Sequence, residues 1–184
     1  MILAFIGTVG SGKTLSAVEQ CYLYHRDKHY KIYSNIKLNF PYTALNFKQL
    51  KYMIENKEQL QDVVIFLDEV HIAIDSRSSM TKKNKILSYF ILQTRKRNVR
   101  MLVTTQHLAQ IDKRLRDTID ILVFCKNLTN KTSTVKLDVF TPQFIQQEYL
   151  FQWADDVKPK RRIIHANPVY PLYDTKEIVD FDEE

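Results

Sequence analysis

Glycine is scarce in this chain. Three occur in 184 residues, where average usage of about 7% would supply roughly 13, and all three fall between Gly7 and Gly12. A chain that otherwise does without the most permissive backbone residue keeps it where a loop must turn through positive φ or approach something closely. That loop is the first place to look for function. Cysteine is scarce as well: Cys21 and Cys125 make neither a disulfide framework nor a metal knuckle, and read as free thiols packed in a reducing compartment. Long apolar runs are missing. The longest, Ile2 to Ile6, Val63 to Leu67 and Ile119 to Cys125, fall far below the roughly 20 residues a membrane helix needs, and the N-terminus has no basic lead before a cleavable apolar stretch. The expectation is a cytoplasmic protein with no membrane span of its own. With 45% hydrophobic and 26% charged residues it has the makings of a folded chain rather than a disordered one.

What is present alternates. Ile2 to Ile6 reads as a buried strand and Lys13 to Arg26 as a helix, with Leu15, Val18, Tyr22 and Leu23 at helical spacing. Strands are predicted at Lys31 to Ser34, Asp62 to Leu67, Val99 to Thr104 and Ile119 to Cys125, with a further edge strand at Thr134 to Phe140. Between them lie a polar helix or turn-rich connection (Asn46 to Asn56), a helix at Ile86 to Arg95 and a short basic helix at Leu108 to Arg116. This order predicts an α/β fold with a mostly parallel sheet covered on both faces. Residues 1–140 form the expected core. From Thr141 the pattern weakens and prolines appear at 142, 159, 168 and 171, so 141–184 is expected to be an appendage packing on the core or on a neighbouring subunit. Phe144, Tyr149, Phe151 and Trp153 are its candidate anchors, and such aromatics serve equally well to cover the body's own core. A basic knot of Lys158, Lys160, Arg161 and Arg162 precedes an acidic end, Asp180 to Glu184.

Gly7-Thr8-Val9-Gly10-Ser11-Gly12-Lys13-Thr14 fits the phosphate-loop pattern G-x-x-x-x-G-K-[ST] and sits between a predicted strand and a predicted helix, the setting such a loop requires. Its glycines let backbone N–H groups turn toward phosphates, and the helix adds its positive end. Lys13 would reach the β/γ-phosphates and the Thr14 hydroxyl would coordinate Mg²⁺. ATP is the expected cofactor. Val63 to Leu67 delivers Asp68 and Glu69 at a strand's C-terminal end, where open α/β sheets place their ligands. Asp68 is the second expected metal ligand, and Glu69 is placed to polarise an attacking water. A phosphate-loop protein that passes phosphate to a bound metabolite needs no such water activator, whereas a hydrolase does.

Val99 to Thr104 is expected to lie beside both of these strands, which would let Gln106 sense the γ-phosphate; the alternative is a hydrogen-bonded strand terminus. His71 and His107 read as structural or supporting groups. Between Lys82 and Arg116 there are ten Lys/Arg and one acid, Asp112. So one-signed a stretch repels itself unless an anion is near, which points to nucleic-acid phosphates. The other use of arginine is in trans, a guanidinium reaching a neighbouring subunit's γ-phosphate. Arg95 and Arg97 are favoured over Arg100, Arg114 and Arg116.

The phosphate loop, the strand Tyr33-Ser34-Asn35-Ile36, the box Asp68-Glu69-Val70-His71 and the block Thr94-Arg95-Lys96-Arg97…Thr104-Thr105-Gln106…Ile111-Asp112…Arg114-Leu115-Arg116-Asp117 together resemble the zonula occludens toxin-like branch of the FtsK–HerA DNA-translocase superfamily, over about residues 1 to 125. The resemblance implies a RecA/FtsK–HerA-like P-loop NTPase fold and ATP-driven movement of DNA through a homo-oligomeric ring, commonly a hexamer. It also implies viral members that package genomes or assist virion assembly. Filamentous-phage members carry a membrane span after the ATPase domain. None is read in this chain, and its phosphate loop begins at residue 7, so the expectation leans to the small packaging ATPases of tailless double-stranded DNA viruses, with capsid or membrane proteins as further partners. The alternatives are a filamentous virion assembly or export ATPase of the same branch, a small nucleoside or nucleotide kinase, and a switch-like nucleotide-binding assembly factor. DNA-stimulated turnover separates the motor from the kinase, and repeated turnover separates it from the switch.

Overall fold

The computed structural model describes residues 1–46, 48–49, 52–53, 60–73, 99–128, 143–152 and 158–175. The predicted helix Ile86 to Arg95, with Arg95 and Arg97, lies outside the described residues, as do the predicted strand Thr134 to Phe140, Trp153 and the acidic end. Five parallel pairings join β1 (Ile2–Ile6), β2 (Lys31–Ser34), β3 (Thr43–Ala44), β4 (Val63–Leu67), β5 (Arg100–Thr105) and β6 (Ile121–Asn127). β7 (Phe144–Phe151) and β8 (Lys160–His165) continue the same sheet in antiparallel fashion, giving the order β3-β2-β4-β5-β1-β6-β7-β8. β5 is inserted between β1 and β4, as its expected place beside both required.

Alternation along the strands sends side chains into two apolar layers, as a sheet covered on both faces demands. Leu3 and Phe5 of β1 and Val64 and Phe66 of β4 pack with Leu15, Val18 and Cys21 of helix α1 (Lys13–Lys28). Ile2, Ala4 and Ile6 join Ile65, Leu67 and Val103 on the opposite face, against Ile111, Leu115 and Ile119. Phe5, Phe66, Ile65 and Leu67 are wholly buried, each contributing about 1.5–3 kcal/mol of transfer free energy. Helix α1 runs to Lys28, beyond the expected Arg26. Lacking a glycine to end it, the chain puts His29 at φ 55°, with the His29 N–H bonded to His25 O (3.1 Å) and the Tyr30 N–H to Tyr24 O (3.3 Å). Both thiols are free and buried, and burial pushes Cys125 up to about 11, in keeping with packed, unreactive sulfur.

The expected helix Leu108 to Arg116 is broken. Leu108–Gln110 is a 3₁₀ turn, Ile111 is extended, and the short helix α3 covers Lys113–Arg116. The cause is Asp112, whose backbone is not helical and whose carboxylate accepts the Arg114 N–H at 2.8 Å, capping α3. A one-turn helix α2 (Val70–Ala73) follows β4.

Candidate functional site

The loop between β1 and α1 is compact and internally bonded. The Ser11 N–H donates to Thr8 O (3.1 Å) and Lys13 Nζ to the same oxygen (3.1 Å). Gly12 stands at φ 88°, where an L side chain is strained, and a Cβ there would meet Ile145 Cγ1 of β7 at 2.7 Å. A Cβ on Gly7 would meet Ser11 Oγ and, at 2.7 Å, the carbonyl of Cys125. Both positions therefore demand glycine because the chain beneath them comes so close.

Thr14 and Asp68 are brought together from opposite sides of the inserted strand: the Thr14 hydroxyl donates to Asp68 Oδ1 (2.9 Å) and lies 3.2 Å from Oδ2. The Thr104 hydroxyl of β5 donates to the same Oδ1 (2.7 Å) and accepts the Glu69 N–H (2.8 Å). Asn35, just past β2, clamps the Asp68 main chain from both sides, its Oδ1 accepting the Asp68 N–H (2.7 Å) and its Nδ2 donating to Asp68 O (3.0 Å). Glu69 itself sits at φ 47°, a left-handed backbone of the kind that concentrates at functional sites. His71 Nδ1 approaches Glu69 Oε2 at 3.3 Å. A hydroxyl and a carboxylate converging beside a phosphate loop are a donor set that suits Mg²⁺, which takes oxygen ligands and completes its shell with phosphates and water.

Burial pushes Asp68 up from 3.8 to about 6, Glu69 adding to it and the Thr104, Thr14 and Lys13 contacts opposing. An acid whose folded pKa is raised costs stability as pH climbs from about 4 to 6, because the folded chain holds the proton longer than the unfolded one. Asp68→Asn is therefore expected to melt higher than wild type above pH 6, by an amount on the order of 2 kcal/mol, with the gap closing toward pH 4. Paired thermal melts across that range check it, and a gap that does not change with pH refutes it.

A cleft of about 290 Å³ is lined by Val9, Gly10, Gly12, Lys13 and Thr14 of the loop, by Asp68 and Glu69, and by Tyr170, Tyr173, Asp174 and Thr175. Gln106 follows the end of β5, half-buried, and is not among the lining residues. His107 caps the start of the 3₁₀ turn, its N–H held by Gln110 Oε1 at 3.3 Å. Arg114 is bound to Asp112 through Nε (3.1 Å) and Nη2 (3.3 Å). Arg100 lies at the far end of the sheet, its guanidinium 4.9 Å from the Tyr24 ring centre and 5.6 Å from that of Tyr30. In the basic knot, Arg161 pairs with Glu148 (3.2 Å) and Arg162 with Glu19 (2.6 Å). The sequence reading gave Asn35 and Thr104 no role, though both stand at strand ends beside the acids. It also missed the tyrosine-bearing segment after β8, which no motif announces.

A phosphate-loop strand, an inserted strand and an acid-bearing strand in one parallel sheet define a P-loop NTPase fold. The sequence model of the Zonular occludens toxin (Zot) family matches residues 1–149, and the chain belongs to that family, on the FtsK–HerA branch that the motifs indicate. Among solved structures, the N-terminal domain of zonular occludens toxin from Neisseria meningitidis is similar with a TM-score of 0.64 at 21% identity, over 94% of this chain and 97% of that one. B204, the DNA-packaging ATPase from Sulfolobus turreted icosahedral virus, gives 0.57 at 12% identity over 88% and 96%. The genome packaging NTPase B204 of Sulfolobus turreted icosahedral virus 2, in complex with ATP-γS, gives 0.54 at 11% over 88% and 96%. These likenesses establish the shared fold. No curated protein sequence matches the chain.

Proposed function

We propose that the protein is a Mg²⁺-dependent ATPase that moves viral DNA, acting in the host cytoplasm as a homo-oligomeric ring that packages a genome. The observation that carries this is the convergence of Thr14 and Asp68 at 2.9 Å with Glu69 next in sequence and Lys13 in the same cleft. In this reading the loop N–H groups and Lys13 bind the phosphates, and Thr14 and Asp68 would hold the metal, whose chemistry when bound would be neutralisation of phosphate charge. Glu69 orients and deprotonates the attacking water, and Gln106 reports on the γ-phosphate. The guanidinium supplied in trans is assigned to Arg95 or Arg97; Arg114 is already held by Asp112 and Arg100 is engaged with two tyrosines. The paired acids and the inserted strand argue against a metabolite kinase. B204, described as a DNA-packaging ATPase, supports packaging as the task.

A second reading, ATP-driven virion assembly or export of the filamentous-phage kind, draws on the family match and on the 0.64 TM-score to the zonular occludens toxin domain. Among the described residues no helix is long and apolar enough to cross a membrane. ATP turnover measured with and without double-stranded DNA, alongside particle mass, tests both: several-fold stimulation by DNA in a ring-sized particle is expected. Binding should weaken steeply with salt if several Lys/Arg neutralise phosphates. A monomer with DNA-indifferent turnover overturns the motor.

A further inference from the structure

We propose that the segment from Val169 to Thr175 is a fixed wall of the nucleotide site, and that the Tyr173 hydroxyl donates to the terminal phosphate, so that this wall distinguishes a nucleoside triphosphate from a diphosphate. The proposal rests on the nucleotide reading above. Tyr170, Tyr173, Asp174 and Thr175 share one cleft with Lys13, Thr14, Asp68 and Glu69. In this reading Glu69, the residue on the attacking water, marks the side of that cleft where a third phosphate would lie.

The wall is firmly attached. Ala166, Val169 and Tyr173 are buried in the apolar layer that also holds α1. Leu38 and Tyr173 form an antiparallel bridge, and the Asn39 N–H donates to Leu172 O at 2.8 Å. Asn39 Nδ2 donates to Pro171 O, also at 2.8 Å, and the Leu172 N–H closes a turn onto Val169 O (2.9 Å). Pro168 and Pro171 restrict the backbone further. Tyr173 belongs to this buried layer and also lines the cleft that Asp68 and Glu69 line, and its phenol is a hydrogen-bond donor at neutral pH. Within this layer the ring orders the segment, and the hydroxyl is the part of the side chain that a phosphate oxygen would accept from.

Calorimetric titration with Mg²⁺–AMPPCP and with Mg²⁺–ADP tests this on the wild type, Tyr173→Phe and Asn39→Ala. Losing a hydrogen bond to a charged acceptor should weaken triphosphate binding about tenfold in Tyr173→Phe while leaving ADP within about twofold. Asn39→Ala, at the exposed latch, should lose the same discrimination by about threefold. Circular dichroism checks folding, and should Tyr173→Phe misfold, the Asn39 variant decides. Variants that bind both nucleotides like the wild type, or lose both equally, overturn the wall while the nucleotide reading stands. A wild type that gives no heat with either nucleotide overturns both.

Discussion

Glu69→Gln is expected to keep binding ATP and to lose about 10²- to 10⁴-fold in hydrolysis, the range that positioned general bases contribute. The substitution keeps the side chain's size and leaves the main chain held, since the Glu69 N–H still reaches Thr104 Oγ1 (2.8 Å). What it removes is the Glu69 carboxylate, the part of that side chain able to accept a proton from water. Steady-state phosphate release beside equilibrium binding of a fluorescent ATP analogue separates the two effects. Unchanged turnover would remove Glu69 from the mechanism, and loss of binding would make it a structural acid.

Gly12→Ala should prevent stable folding or cost about 3 kcal/mol. Holding a non-glycine residue in the left-handed region costs roughly 1–2 kcal/mol, and overpacking against a filled position costs roughly 1–3 more. Here the φ is 88° and the Cβ would drive into Ile145. A domain with 5–15 kcal/mol in hand loses a large fraction of it. Chemical denaturation measures the loss. Ile145→Ala costs stability by itself, because Ile145 is fully buried, but in a double-mutant cycle it should cost less in the Gly12→Ala chain than in wild type, because there it also relieves the collision. Strictly additive losses would mean that backbone strain alone sets the cost of Gly12→Ala.

That collision also explains what was legible beforehand. The phosphate-loop spacing and the continuous apolar runs of β1 and β4 announce themselves, because buried parallel strands carry little but apolar residues. β7 and β8 do not. Phe144, Gln146, Glu148 and Leu150 alternate with Ile145, Gln147 and Tyr149, but a buried Gln147 interrupts the apolar face. Charges crowd β8, so the stretch reads as an appendage. In the folded chain these strands extend the central sheet, and Ile145 supports the loop on which the site is built. The helix expected at Leu108 to Arg116 failed for a local reason: a capping aspartate in the middle of a helical-looking run ends one turn and starts another. Asn35 was visible only as part of a motif, with no role attached, and the Val169–Thr175 segment not at all, because their value comes from register and chain reversal, which bring distant residues together.

Thr104 carries a mechanical consequence. A single hydroxyl donates to Asp68 and accepts from the Glu69 main chain, so two acids already joined by a peptide bond are both tied at one atom to the neighbouring strand. Any tug on β5, whose far end bears Arg100 and whose near end leads to Gln106, would displace the pair in step. A crank of this sort lets events at a distant surface retune both carboxylates at once.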